Sequence, residues 1–218
     1  YDVDGKGGYR LLVAGGVNTF LGIFNPATAM IYEDAKWSYL DEATPVREYP
    51  DLLHYNTSDI VQSPSDPSLI YASPYRTGLY QYKDGKFVSL YSCWNSPLQS
   101  ILPKNDNKKN YVSATCLAFD EDENLWMCNQ ETDTIIRVLT HDKKWRSLYY
   151  AEIVGQPQCD GYVFSSSGVS FLVCRRMNGR GFFAFDTNST LTNMRDDKHR
   201  LLSTIVNQDG TSYSPDNF

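Results

Sequence analysis

Arginine and tyrosine side chains in two segments are the residues best suited to bind a ligand. Arg175, Arg176 and Arg180 lie between two apolar segments. Tyr75 and Arg76 lie at the corresponding place between two others. Arginine can bind a carboxylate or a phosphate through two parallel hydrogen bonds, and a tyrosine ring offers a flat face to a sugar. We therefore predict that these five residues contribute to a site for an anionic glycan or a lipid headgroup, the alternative being that they are ordinary exposed loop residues.

No motif in the sequence indicates catalysis or metal binding. There is no G-x-S-x-G nucleophile elbow, no H-E-x-x-H and no Walker loop. His54, His141 and His199 fall in three different predicted loops and are interpreted as solvated. The acidic run at residues 120–123 lacks the glycine and the distal glutamate of an EF-hand loop, which favours a solvated turn. The sequence thus predicts no catalytic residues, no metal site and no cofactor.

The cysteines suggest one possible disulfide. The chain has five of them, and no C-x-x-C spacing that would indicate a zinc site. If a hairpin pairs Phe119 with Leu125, Cys116 lies directly opposite Cys128 on the neighbouring strand. Directly opposed residues have Cα atoms about 4.5–5.5 Å apart, which is within disulfide reach. Cys116 and Cys128 are therefore predicted either to form a disulfide or to be two small buried hydrophobic residues.

Composition and charge exclude several classes of protein. The chain has 218 residues, with 41% hydrophobic and 21% charged residues, which is typical of a folded domain. Its formal net charge of -6 argues against general binding to nucleic acid, which needs a basic surface. No apolar run approaches the roughly 20 residues of a membrane span. We predict no nucleic-acid partner and no transmembrane segment in this chain.

Internal repetition is the strongest feature of the sequence. Short apolar segments recur at residues 11–14, 69–72, 125–128 and 171–174. A second set begins nine or ten residues after each of the first, at residues 20–24, 78–82, 134–138 and 181–185. A third set follows turns or longer loops, at residues 37–40, 87–90, 145–148 and 201–205. A fourth set precedes the first, at residues 60–62, 117–119 and 162–164.

A constant hairpin joined by variable loops predicts an all-β fold, a β-propeller. We expect about four four-stranded antiparallel blades that form part of a larger propeller. A β-sandwich also has many short strands, but it does not repeat the same offsets. The predicted blades span residues 1–50, 51–110, 111–156 and 157–206, with residues 207–218 as a linker into a following repeat.

Three stretches carry a resemblance to a known family. Asp120–Met127 resembles the D-x-x-G-N-L-W signature of two-component-regulator propeller repeats, although Glu123 stands where that pattern has glycine. Gly78–Phe87 resembles the G-L-Y-x-Y-x-D-G-K-F hairpin of the same family. Asp209–Asn217 is similar to the stretch that opens a following repeat in PorZ-like proteins of Bacteroidetes.

The resemblance implies a non-catalytic binding module outside the cytoplasm, in the periplasm or on the outer cell surface. A PorZ-like protein implies a link to type IX secretion, with lipopolysaccharide or another anionic glycan as ligand, or an envelope protein as partner. The alternative is the glycan-sensing periplasmic domain of a hybrid two-component histidine kinase. A propeller hydrolase or lyase is a further alternative, and it would need a cluster of acids or histidines where the blade loops meet.

Overall fold

The computed structural model describes residues 2–3, 11–14, 25–174, 181–202 and 204–213. These residues form four sheets of four antiparallel strands and one two-stranded hairpin. Sheet 1 consists of β1 (Asp2–Val3), β2 (Leu11–Ala14), β3 (Ala29–Glu33) and β4 (Lys36–Tyr39). Sheet 2 consists of β5 (Thr57–Gln62), β6 (Leu69–Pro74), β7 (Leu79–Lys83) and β8 (Lys86–Tyr91).

The other two sheets and the hairpin follow in chain order. Sheet 3 consists of β9 (Thr115–Phe119), β10 (Leu125–Cys128), β11 (Ile136–Leu139) and β12 (Trp145–Leu148). Sheet 4 consists of β13 (Cys159–Phe164), β14 (Ser170–Cys174), β15 (Gly181–Asp186) and β16 (Lys198–Leu202). The hairpin pairs β17 (Ile205–Val206) with β18 (Ser212–Tyr213).

Helices are short in the described part of the chain. They are α1 (Ala43–Glu48) and two 3-10 turns at Lys108–Asn110 and Ala151–Ile153. None of the helices in these residues has the length and hydrophobicity that a membrane span requires.

The successive sheets stand side by side around a common axis. The first strands β5, β9 and β13 contact one another in that order, and β1 and β2 contact β5. Within each four-stranded sheet the strands lie side by side in chain order, from the first strand near the axis to the fourth strand at the outer edge. This arrangement is that of a β-propeller arc, and the predicted fold class is confirmed.

Three hydrophobic cores fill the spaces between neighbouring sheets. Leu12 and Ile31 of sheet 1 pack with Tyr80 of sheet 2. Tyr71 of sheet 2 packs with Met127 of sheet 3, and the third core joins sheets 3 and 4. Each core places strand side chains of one sheet against those of the next, so the sheets hold each other in place.

The predicted strand segments overlap the observed strands throughout sheets 2 and 3. In sheet 1 the strand that pairs with β2 is β3, so the assignment of this strand to residues 20–24 is wrong. Residues 20–24 themselves lie outside the described residues. The constant spacing between the first and second sets of segments does not hold in sheet 1, because the connection from β2 to β3 is longer than the corresponding connections of the other sheets. In sheet 4 the last strand begins earlier than predicted, at Lys198, and Ile205 belongs to β17.

A bulge recurs near the start of the first strand in sheets 2, 3 and 4. The register of β5 with β6 shifts between Thr57 and Asp59, and that of β13 with β14 shifts between Cys159 and Gly161. In sheet 3 the equivalent shift lies between Trp126 and Cys128 of β10. Each bulge inserts one extra residue into the first strand, which bends the strand locally.

The bulge overturns the predicted alignment of two cysteines. Phe119 does pair with Leu125, but Cys128 lies opposite Thr115. Cys116 is the bulged residue, with a φ of 56°. All five cysteines are free thiols in the structure, and the observed register removes the alignment on which the predicted disulfide between Cys116 and Cys128 depended.

The turns joining the first and second strands share one hydrogen-bond pattern. In sheet 3, Asp120 N–H donates to Asn124 O and Glu123 N–H donates to Asp120 O, both at 3.1 Å. The turns at residues 165–169 and 207–211 repeat both bonds. The fourth residue of each turn has a positive φ, which is 60° for Glu123. Glu123 thus adopts the left-handed conformation that the family pattern assigns to glycine.

The hairpin of β17 and β18 therefore repeats the opening hairpin of sheets 3 and 4. Its turn bonds are 2.8 Å from Asn207 N to Thr211 O and 3.0 Å from Gly210 N to Asn207 O. It occupies the start of the segment that we predict to lead into a following repeat.

Asp59 joins the inner strands of sheets 2 and 3. Its Oδ2 accepts a hydrogen bond from Leu117 N–H of β9 at 2.7 Å, and its Oδ1 accepts one from Ile60 N–H at 2.9 Å. Burial raises the pKa of Asp59 above the ordinary value. The bonded carboxyl group links the bulge of one sheet to its neighbour.

Gly78 should be much less tolerant of a side chain than another glycine of the same sheet. It has a φ of 100°, and an added Cβ would lie 2.2 Å from Tyr91 O. Gly78→Ala is expected to lower the free energy of unfolding by about 2–4 kcal/mol, measured by urea denaturation. Gly85 has a φ of 74° and open space around it, so Gly85→Ala should cost only about 1 kcal/mol. Equal losses for the two variants would contradict this prediction.

Asp59 should make the protein less stable as pH rises. The folded state holds the Asp59 proton more tightly than the unfolded state, because burial raises the folded-state pKa. Its contribution to stability is therefore fully present below the unfolded pKa and is lost as pH rises through the folded pKa. The difference in free energy of unfolding between wild type and Asp59→Asn, measured by denaturation from pH 3 to 7, should fall with rising pH.

Asp142 provides a control with the opposite sign. A hydrogen bond from Lys144 lowers the pKa of Asp142 to about 2. Its contribution is present above the unfolded pKa and is lost as pH falls towards the folded pKa. The corresponding difference for Asp142→Asn should rise with pH, and a rise for Asp59→Asn as well would refute the role of burial.

Candidate ligand-binding face

Three connections meet at one end of sheets 2 and 3. They are residues 75–78 between β6 and β7, residues 92–114 between β8 and β9, and residues 129–135 between β10 and β11. Gly78 N–H donates to Val112 O at 2.9 Å, and Val112 N–H donates to Arg76 O at 2.8 Å. We call the surface formed by these three connections the loop face.

A cavity of about 460 Å³ opens on the loop face. Its lining combines apolar side chains with hydroxyl, amide and charged groups, from Cys93, Leu98, Gln99, Ser100, Ile101, Pro103, Lys108, Glu131, Thr132 and Asp133. Lys108, Glu131 and Asp133 are exposed, and Thr132 is buried. Donors and acceptors of several kinds around one concave surface suit a polar ligand with many hydroxyl groups.

Asn129 holds the wall of this cavity. Its side chain is fully buried, and its Oδ1 accepts a hydrogen bond from Gln99 N–H at 2.6 Å. Its Nδ2 donates to Gln99 O at 3.0 Å and to Ser113 O at 2.8 Å. A single amide thus satisfies three backbone groups of residues 92–114 and fixes that connection against sheet 3.

The connection of residues 75–78 carries Arg76, whose guanidinium lies over two aromatic rings. The guanidinium carbon lies 4.9 Å from the ring centre of Tyr75 and 5.8 Å from that of Tyr111. Arg76 has a φ of 67°, and its carbonyl group is bonded to Val112. Ile101 N–H, at the cavity lining, donates to Tyr111 O at 2.8 Å. The stacked arginine therefore lies beside the chain segment that lines the cavity.

The structure thus brings together two of the five predicted ligand-binding residues, Tyr75 and Arg76. Arg175, Arg176 and Arg180 lie outside the described residues, in the connection between β14 and β15. This is the sheet 4 counterpart of the connection that carries Arg76, and their contribution to binding stays a prediction.

Two contributors to the loop face were not predicted from the sequence. Tyr111 is far from Arg76 along the chain and reaches it only through the pairing of Thr77 with Val112. Asn129 directly follows a buried strand, and a polar residue at that point could have suggested a structural bond. Nothing in the spacing indicates which connection Asn129 would hold.

The histidines are far apart in the fold. His54 contacts the Tyr80 hydroxyl and Tyr49 O, whereas His141 lies 3.3 Å from Glu123. His199 lies on β16 instead of in a loop, 3.2 Å from Glu152. Within the residues that the structure covers, no group of three or more histidine, cysteine, aspartate or glutamate side chains could hold a metal ion.

Comparison with solved structures places this architecture among known proteins. PorZ of Porphyromonas gingivalis, titled an essential bacterial surface component of the type-IX secretion system, matches with a TM-score of 0.79 and 21% identity over 93% of this chain. The chain shares its fold with this part of PorZ. It spans only 27% of the PorZ chain. No protein-family model and no curated protein matches the sequence.

Two further structures are more distant. The extracellular domain of a putative hybrid two component system from B. thetaiotaomicron has 14% identity and a TM-score of 0.49, over 97% of this chain and 30% of that one. An ancestral GH74 enzyme has 11% identity and a TM-score of 0.50, over 81% of this chain and 22% of the enzyme. PorZ corresponds to one of the two groups that the sequence resembles, and at 21% identity the likeness concerns the fold alone.

Loss of the Asn129 amide should loosen the loop face. Asn129→Ala removes three hydrogen bonds to the backbone, which should cost about 2–3 kcal/mol of stability. Hydrogen exchange at the Gln99 amide should accelerate more than at the amides of β6. The exposed Asn107 of the same connection is the control, and Asn107→Ala should change stability by less than about 0.5 kcal/mol. Unchanged exchange at Gln99 in Asn129→Ala would show that other contacts hold the connection.

Proposed function

We propose that this chain is part of an extracytoplasmic β-propeller that binds an anionic glycan on its loop face and does not catalyse a reaction. The observation that carries the proposal is the position of the Arg76 guanidinium over the rings of Tyr75 and Tyr111, beside the cavity. The ligand class we favour is the acidic oligosaccharide portion of lipopolysaccharide.

The chemistry of the face supports a ligand that is both acidic and rich in hydroxyl groups. A guanidinium that is already held by two rings loses little side-chain entropy when it binds a carboxylate or a phosphate. The exposed side-chain amide of Gln99 can bond to sugar hydroxyls at the cavity. Lys108 adds a second positive charge at the cavity.

Binding is favoured over hydrolysis by the positions of the acidic residues. A glycoside hydrolase uses two carboxyl groups on opposite sides of the scissile bond, one of them in an environment that keeps it protonated. Glu131 and Asp133 are the acidic residues of the cavity lining, and both are exposed and belong to one short connection, residues 129–135. The enzyme of similar fold shows why hydrolysis still needs a direct test.

The biological setting belongs to the proposal as well. PorZ is described as a bacterial surface component, and the sensor structure is that of an extracellular domain. Either setting places the loop face outside the cytoplasm, where acidic glycans of the envelope are available. We favour the PorZ-like setting because that structure has the higher TM-score. A protein partner of the envelope is the competing ligand class.

Removal of the Arg76 charge should weaken glycan binding selectively. In calorimetry with acidic oligosaccharides released from lipopolysaccharide, Arg76→Gln should lower the affinity at least tenfold, because a charge-assisted pair of hydrogen bonds is lost. Arg76→Lys should lower it less. Arg200 is exposed on β16, the last strand of sheet 4, and belongs to none of the three connections of the loop face, so Arg200→Gln is the matched control and should bind like wild type.

Three outcomes would contradict the proposal. They are equal binding of neutral and acidic oligosaccharides, unchanged affinity in Arg76→Gln, and release of reducing ends during incubation with the glycan. The last result would assign the chain to the hydrolases.

A further inference from the structure

Four of the five cysteines belong to one buried cluster between sheets 3 and 4. Cys116, Cys128, Cys159 and Cys174 all lie in the core that joins these sheets, and each is at most 6% exposed. Their thiols form a continuous row of contacts, from Cys116 to Cys128, from Cys128 to Cys159 and from Cys159 to Cys174. The Cys128 thiol also lies 3.3 Å from the Tyr162 hydroxyl.

Only one pair in this cluster is directly opposed on neighbouring strands. Cys159 of β13 pairs with Cys174 of β14 in the strand register. Opposed residues of an antiparallel pair have Cα atoms about 4.5–5.5 Å apart, inside the range of disulfides. Cys116 is displaced by its bulge, and Cys128 and Cys159 belong to different sheets.

Cys159 and Cys174 are free thiols in the structure, and we propose that oxidation joins them by a disulfide in the mature protein. The proposal rests on the extracytoplasmic location proposed above, because disulfides persist in oxidising compartments. The reaction exchanges the two thiols with the disulfide of a thiol–disulfide oxidoreductase. The two cysteines each lose a proton and together give two electrons to the oxidant, whose own disulfide becomes two thiols.

The bond must form before sheet 4 packs against sheet 3. Thiolates are the reacting species, and the side chains of Cys159 and Cys174 are nearly inaccessible in the folded protein. The hairpin of β13 and β14 brings the two cysteines together locally, without help from other sheets. Oxidation therefore belongs to an early stage of folding, while the hairpin is still open to the oxidant.

The proposed disulfide would also fix the base of a functional connection. Cys174 is the last residue of β14 and directly precedes residues 175–180, which carry the three predicted arginines. Cys174 also pairs with Gly181, the first residue of β15. A covalent bond from Cys174 to the first strand of its sheet would thus hold one end of that connection.

Peptide mapping can test the linkage directly. The chain is exported to an oxidising periplasm, its free thiols are alkylated under denaturing conditions, and its peptides are compared with and without reduction. We expect a linked peptide pair containing Cys159 and Cys174, with the other three of the five cysteines alkylated. Five alkylated cysteines, or a linkage of Cys116 to Cys128 or of Cys128 to Cys159, would overturn the proposal.

Thermal unfolding gives a second measurement that does not depend on mapping. Dithiothreitol should lower the unfolding midpoint of wild type by roughly 5–10 °C, because reduction removes a constraint on the unfolded chain. The Cys159→Ser, Cys174→Ser double variant should show no such shift, whereas Cys93→Ser should keep it. A shift that persists in the double variant would refute the assignment. Glycan binding by Arg76 is measured separately, so failure of the disulfide and failure of the proposed function are distinguishable.

Discussion

Burial of both faces of each sheet is the constraint on which the rest of this structure depends. A four-stranded sheet with alternating apolar residues on both faces is stable only when another sheet covers each face. In the described residues the three cores meet this requirement on both faces of sheets 2 and 3 and on one face each of sheets 1 and 4, with Tyr71 and Met127 in one core and Leu12 and Tyr80 in another. Because the sheets pack side by side around one axis, connections that join corresponding strands in successive sheets lie at the same end of the structure. The loop face is thus a consequence of how the hydrophobic area is buried.

Local patterns predicted the parts of the fold that depend on local interactions. The strands of sheets 2 and 3 follow from alternating apolar residues and from turns such as Asp84–Gly85, which has two positive φ values. The bulges were not predictable, because an inserted residue such as Cys116 looks like any other strand residue in the sequence. They are specified by contacts between sheets, such as that between Asp59 and Leu117 N–H. The prediction that Cys116 lies opposite Cys128 assumed a strand without an extra residue, and the bulge in β9 makes that assumption wrong.

In the candidate site, too, local features were predictable from the sequence and contacts between distant segments were not. Tyr75 and Arg76 could be proposed from the sequence because residue type and position in the repeat were both visible. Tyr111 and Asn129 could not, since their roles arise from the pairing of distant connections. The comparison with PorZ adds the fold and no residue roles, because the two chains share 21% identity. Functional assignment therefore rests on the chemistry of the loop face.

The hydrogen bond from Ile101 to Tyr111 has a consequence for how this protein can diversify. It closes the base of residues 102–110, which form an exposed lobe between two pinned ends. Changes in the length or composition of that lobe leave the sheet contacts intact. Related lineages can thus exchange the lobe at little thermodynamic penalty while the framework of sheets stays unchanged. The same property makes it a suitable position for grafting a foreign peptide.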